Sequence, residues 1–148
     1  MDCDPNFFHA LVRNLAQGLN VKFAFFSEFS ITDPWRAQTL GRWLGDHLGE
    51  NVEYLLQNTP CYKVSLGMTC YYPLAVHKLF PFDKDIVDMK GESYLGVPVK
   101  NSMGNVIGHL AIMDTMPMKD EEYLRLVTSF FAKRAGEKLA CIQRMRGK

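Results

Sequence analysis

The groups with the most reactive chemistry in this chain are Cys61 and Cys70, nine residues apart in TPCYKVSLGMTCYYP. A thiolate is a strong nucleophile, so the pair reads as a redox couple or a covalent attachment point. The competing reading is two small buried thiols packed into a cover. Tyr71, Tyr72 and Tyr94 carry hydroxyls on apolar bodies, suited either to orienting a ligand in an aromatic cavity or to plain packing with the hydroxyl satisfied by backbone. His109 sits among Ile107, Leu110 and Ala111, where an imidazole either hydrogen-bonds a polar ligand or is a satisfied core histidine. His9, His47 and His77 lack a second ligand at i+3 or i+4, and no metal site is expected. Asp83 and Asp85, two apart in a Pro-flanked turn, read as solvated turn residues. No GxSxG, P-loop, GxGxxG or paired-carboxylate motif occurs.

These groups need a scaffold, and the chain is long enough to supply one. Its 148 residues fit one domain, and 47% apolar with 22% charged residues is an ordinary globular composition. A net charge of +1 gives no electrostatic case for nucleic acid or for membrane contact. No run approaches the roughly 18 apolar residues of a membrane span, and the N-terminus lacks a signal-peptide pattern, so a cytoplasmic location is expected. Four cysteines (Cys3, Cys61, Cys70, Cys141) are too few for a disulfide scaffold. Eight Met and ten Phe fit an adaptable pocket lining or simple packing equally well.

The organising stretch is Glu92–Asp114. Two nearly continuous apolar runs, Tyr94–Val99 and Val106–Asp114, flank Asn101-Ser102-Met103-Gly104-Asn105, which can reverse the chain. The spacing predicts an antiparallel hairpin with a three- to five-residue loop, covered on both faces. Asp4 as N-cap and Pro5 at the first helical position predict a helix with Phe8, Leu11, Val12 and Leu15 on one face, stopping at Gly18. Val21–Ser30 reads as a buried strand and Trp35–Leu44 as a second, while Asn51–Leu56 is either a short strand or a helical turn. From Pro60 to Gly91 the signals are short helical pieces: one capped by Thr59, one after Pro73, one over Asp83–Met89. So long a connection is usually functional or a pocket cover. After Pro117, Lys119–Arg146 reads as a long amphipathic helix with Leu124, Val127, Phe131, Ala135, Leu139 and Ile142 on one stripe. Its end is basic (Lys133, Arg134, Lys138, Arg144, Arg146, Lys148). The apolar stripe persists to Met145, and that extra length can pair with a second copy or lead into an output domain. The order gives an α+β plan, with the first and last helices on one sheet face and Pro60–Gly91 on the other.

The text ESYLGVPV, a short turn, then G.VIGHLAIMD resembles the central hairpin of a GAF domain, the small-molecule sensing module of bacterial signalling proteins such as sensor histidine kinases. The upstream NTPCYKVSLGMTCYYP…LFP is similar to the segment that precedes that hairpin. The resemblance covers Phe7 to Leu139. It implies a five- or six-stranded antiparallel sheet with a ligand pocket beneath the irregular segment. The expected function is a non-catalytic regulatory one, and the extra apolar length of the last helix adds the expectation of a homodimer through the terminal helices and of an output domain such as a histidine kinase or cyclase. One GAF subgroup, the free methionine-(R)-sulfoxide reductases, carries cysteines at places similar to Cys61 and Cys70. Its third cysteine has no counterpart here, where Asp88, Met89 and Lys90 stand. The cyclic-nucleotide signature is missing, and Asp85-Ile86-Val87 lacks the proline of the phytochrome motif.

The expected ligand-binding set, chosen by location and chemistry, is Phe25, Cys61, Cys70, Tyr71, Tyr72, Phe80, Tyr94 and His109. The expected partner is a small molecule that the sequence does not identify, and no cofactor is specified. The alternative is a thiol redox enzyme using Cys61 and Cys70, helped by Cys141 if the terminus folds back.

Overall fold

The Glu92–Asp114 stretch forms the hairpin its apolar runs predict. In the structure, a computed structural model describing residues 4–147, it lies within a six-stranded antiparallel sheet. The elements are α1 (Phe7–Leu19), β1 (Phe23–Phe29), β2 (Arg36–Leu44), β3 (Glu53–Leu55), α2 (Cys61–Ser65), β4 (Cys70–Tyr72), α3 (Val76–Leu79), α4 (Lys84–Asp88), β5 (Ser93–Lys100), β6 (Val106–Asp114) and α5 (Glu121–Arg146). The sheet order is β3-β2-β1-β6-β5-β4. The β5–β6 loop is closed by the Asn101 side chain, whose oxygen accepts from the Met103 and Asn105 amides at 3.0 Å each, with Gly104 at φ +83°.

Strand alternation sends two sets of side chains to opposite faces. Ala24, Phe26, Leu95, Val97, Leu110 and Ile112 meet Phe8, Val12 and Leu15 of α1 and Leu124, Ala135 and Leu139 of α5. Burying each large side chain there contributes about 1.5–3 kcal/mol. Close approach is set by glycine: a Cβ on Gly136 of α5 would lie 2.4 Å from the Lys100 carbonyl oxygen, and one on Gly108 of β6 2.3 Å from that of Ser27. The opposite face carries Phe23, Tyr94, Ala111 and Met113, covered by Val76 of α3 and Ile86 of α4.

Three expectations shift at element ends. At the start of α1, the Asp4 carboxylate accepts from the Asn6 amide at 2.9 Å, and tighter three-residue turns lead into a helix that begins at Phe7. Gly18 stays inside that helix. The stop is Asn20, left-handed at φ 55°, with its own amide and that of Val21 closing on the last turn. Thr59 does not cap α2; its hydroxyl donates to the Leu56 carbonyl at 2.8 Å, and Pro60 takes the cap position. The Pro60–Gly91 segment also contains β4, which pairs with β5 at the sheet edge. Lys148, counted with the basic end of α5, lies outside the described residues, as does Cys3.

Candidate functional site

A cavity of about 360 Å³ lies between the sheet and the roof made by α2, α4 and the segments beside them. Its floor comes from β1, β5 and β6 (Phe25, Ser27, Tyr94, His109, Met113), its wall from β2 and β3 (Thr39, Arg42, Tyr54), and its roof carries Cys61, Asp83, Ile86 and Met89. An irregularity in β2 makes the wall. Phe26 faces Gly41 while Ser27 faces Thr39, so Leu40 is the extra residue of a bulge. The bulge lets Gly41 turn to α1, where a Cβ would meet the Phe8 carbonyl oxygen at 2.7 Å. Two residues earlier, Thr39 turns into the cavity. Its hydroxyl donates to Asn51 at 3.1 Å and accepts from the Val52 amide at 2.7 Å, which holds the approach to β3.

The inner polar groups are neutral. Tyr94 lies across Gly96, where a Cβ would sit 2.5–2.9 Å from its ring atoms and hydroxyl, and this brings the Tyr94 hydroxyl to 3.3 Å from Cys61 Sγ. Burial pushes the Cys61 thiol up to about 11, with hydrogen bonding to Tyr94 and Tyr54 opposing, so it is protonated at neutral pH. Burial likewise raises the Tyr54 and Tyr94 hydroxyls well above the usual phenol range. Tyr54 donates to Ser27 Oγ at 3.0 Å. His109 is 1% exposed and stacks on Phe29 with centroids 5.6 Å apart; among the described residues neither of its ring nitrogens has a hydrogen-bond partner. Burial takes its pKa down to about 3, leaving the imidazole neutral. Charge gathers toward the mouth, at half-buried Arg42 and Asp83 and at exposed Lys84 and Asp85.

Of the residues singled out from sequence, Phe25, Cys61, Tyr94 and His109 line this cavity. Cys70, Tyr71, Tyr72 and Phe80 lie outside it. Tyr71 faces the helix side, its hydroxyl donating to the Met118 carbonyl at 3.1 Å. Tyr72 and Phe80 meet edge-on at 5.3 Å, and Tyr72 supports Tyr94 from behind at 6.2 Å. Cys70 is buried opposite Gly96, and Cys61 and Cys70 are free thiols. Cys141 belongs to α5, the helix that covers the other sheet face.

Sequence reasoning missed Ser27, Thr39, Arg42, Tyr54, Asp83, Met89 and Met113. Asp83 had a legible signal: it stands three residues before Ile86 and caps α4, accepting from the Ile86 amide at 3.2 Å. It is not a solvated turn residue, and burial pushes its carboxyl up to about 6 against that hydrogen bond. Asp85 is exposed, but it stands in the first turn of α4 rather than in an open turn.

A larger groove, about 550 Å³, runs between α5 and the end of β5. It is lined by Lys100, Ser129, Lys133 and Gly136, and His109 is not part of its lining. The cavity beneath the roof is therefore the place where buried polar groups and apolar walls converge.

No protein-family model matches the sequence, and no curated protein does. Solved structures do match in fold. The GAF domain of an Acinetobacter phosphoenolpyruvate-protein phosphotransferase aligns with a TM-score of 0.75 at 14% identity, over 97% of this chain and 86% of that one. The GAF domain of A. aeolicus NLH2 in an inactive state gives 0.66 at 18% identity, over 96% and 85%. GAF3 from Slr1393 of Synechocystis, in its photoproduct state, gives 0.65 at 13% identity, over 95% and 96%. The chain has the fold of these GAF domains.

Proposed function

We propose that this chain is a non-catalytic regulatory module of a bacterial signal transduction protein, working in the cytoplasm, in which a small molecule held beneath the roof biases the terminal helices. The observation that carries the reading is the roofed cavity, with a neutral polar interior and apolar walls. Several structural neighbours are photoreceptors by name, among them a far-red cyanobacteriochrome, so the fold accommodates sensory functions. A ligand that prefers one arrangement of the helices by about 1.4 kcal/mol shifts the equilibrium tenfold. Native mass spectrometry of gently purified protein tests this: a retained small molecule, lost on denaturation, is expected. Bare protein that also ignores a metabolite panel in thermal-shift assays would sink the reading.

The proposal includes pairing and an output domain. Tyr123, Leu126 and Phe130 of α5 are exposed at i, i+3 and i+7, an apolar stripe on the side away from the sheet. A homodimer through the terminal helices would cover it. Sedimentation should give a dimer at micromolar concentration and a monomer for Phe130→Asp; a wild-type monomer at those concentrations would refute pairing.

The competing reading is a thiol redox enzyme of the free methionine-(R)-sulfoxide reductase type. Against it stand the protonated Cys61, a Cys70 thiol also raised by burial, and Asp88-Met89-Lys90 where a third cysteine would be needed. Turnover of free methionine sulfoxide with a thiol reductant, abolished by Cys70→Ser, would reverse this preference.

A further inference from the structure

We propose, resting on the sensory reading above, that the cavity takes an uncharged, flat, bicyclic-sized heterocycle whose polar edge hydrogen-bonds the buried imidazole of His109. The first support is His109 itself. An imidazole sealed from water with both nitrogens unpartnered is an unmet demand for one donor and one acceptor. Phe29 covers one ring face, with centroids 5.6 Å apart, and the imidazole also forms part of the cavity wall. Neither nitrogen is exposed to the open space, so a rotation of the ring toward the cavity would bring one to the edge of an occupant.

The second support is the distribution of charge. Ser27 lies opposite His109 across the strands, and it and the other inner lining groups (Tyr54, Tyr94 and Cys61) are hydroxyls and a thiol, each able to donate or accept. None is a cation that could offset a buried carboxylate or phosphate, and an uncompensated buried charge is costly. The lining cations, Arg42 and exposed Lys84, stand at the mouth, and Arg42 spends a guanidinium donor on the Glu50 carbonyl at 2.8 Å. Neutral His109, with its pKa near 3, supplies no positive charge either. The third support is shape. Tyr94 lies down over Gly96 instead of standing in the cavity, and Phe25, Met89 and Met113 complete apolar surfaces suited to a ring. At about 360 Å³ the space is near the lower end of the roughly 300–1,000 Å³ usual for ligand pockets, so a compact ring system suits it better than an extended chain.

Three matched bicyclic probes test the class: naphthalene (apolar), the lactam carbostyril (neutral, with N–H and C=O) and naphthoate (anionic). Each is titrated into wild-type protein and His109→Phe at pH 7, with affinity, Met113 methyl shifts and His109 ring-nitrogen shifts as readouts. Carbostyril should bind at least tenfold more tightly than either companion, move a His109 ring nitrogen, and lose at least tenfold in His109→Phe. If that variant does not fold, the wild-type ring-nitrogen shifts decide. Naphthoate binding tightest, or carbostyril moving Met113 while both His109 nitrogens stay still, overturns the ligand class and leaves the sensory reading standing. No Met113 shift with any probe also overturns this proposal; the sensory reading then stands or falls on the retained-ligand measurement.

Discussion

At the residue scale, Asp83 and His109 border the same cavity, and burial shifts their titrations in opposite directions. Asp83 has its folded pKa raised from 3.8 to about 6, so its contribution to stability is complete below pH 4 and is lost as pH rises through 6. His109 has its folded pKa lowered from 6.5 to about 3, so its contribution is complete above pH 6.5 and is lost as pH falls toward 3. Between about pH 4 and 6 the two slopes oppose and largely cancel. Asp83→Asn keeps a good helix cap and removes one slope. It should lose stability on acidification relative to wild type by up to roughly 1.4 kcal/mol per pH unit. His109→Phe should gain stability relative to wild type over the same range. Urea midpoints at pH 4, 5 and 6 read both, and Asp83→Asn tracking the wild type would exclude the effect. Phe25, Tyr94 and His109 were legible in the sequence because each sits in an apolar run that had to be strand. Thr39 was not, because the face it shares with Ser27 depends on a bulge in β2 that alternation alone does not reveal, whereas Ser27 follows Phe25 by simple alternation on β1.

At the element scale, what could be read depended on length. The β5–β6 hairpin and the helices α1 and α5 extend over enough residues for periodicity to show. The three-residue β3 and β4 take their identity from pairing with β2 and β5. The same dependence on neighbours makes Gly136 a sharp test. In an isolated helix, Gly136→Ala would gain about 1 kcal/mol in propensity. Here the new Cβ would meet the Lys100 carbonyl oxygen at 2.4 Å and Val99 Cγ1 at 3.3 Å, forcing α5 away from β5. Overpacking of this kind costs about 1–3 kcal/mol, so the clash should win. The variant is expected to unfold at lower urea concentration than wild type, and an increase in the midpoint would show that α5 has room to shift.

At the scale of the whole molecule, the question is how a cavity on one sheet face could affect a helix on the other. The α+β layering itself was legible, since two long helices and an irregular segment were the available covers for a two-sided sheet. The link between the layers was not legible, because the partners lie more than a hundred residues apart. Glu28 follows the cavity residue Ser27 on β1 and accepts from Gln143 Nε2 at 2.7 Å and Arg146 at 2.8 Å, tying the end of α5 to the sheet. The Glu28 side chain is only 12% exposed, so this link is better shielded than an ordinary surface ion pair. The basic end of α5 is therefore not only a solvated face, because its last arginine is held by a strand that lines the cavity. A bound molecule that shifts β1 would reach α5 through this contact. Glu28→Ala should speed amide hydrogen exchange over residues 143–146 while leaving the β5 and β6 amides protected. It should also uncouple the helix end: a cavity probe such as carbostyril should change exchange there in wild type but not in Glu28→Ala. Equal responses in the two proteins would mean that occupancy is read through the β5–α5 contact instead.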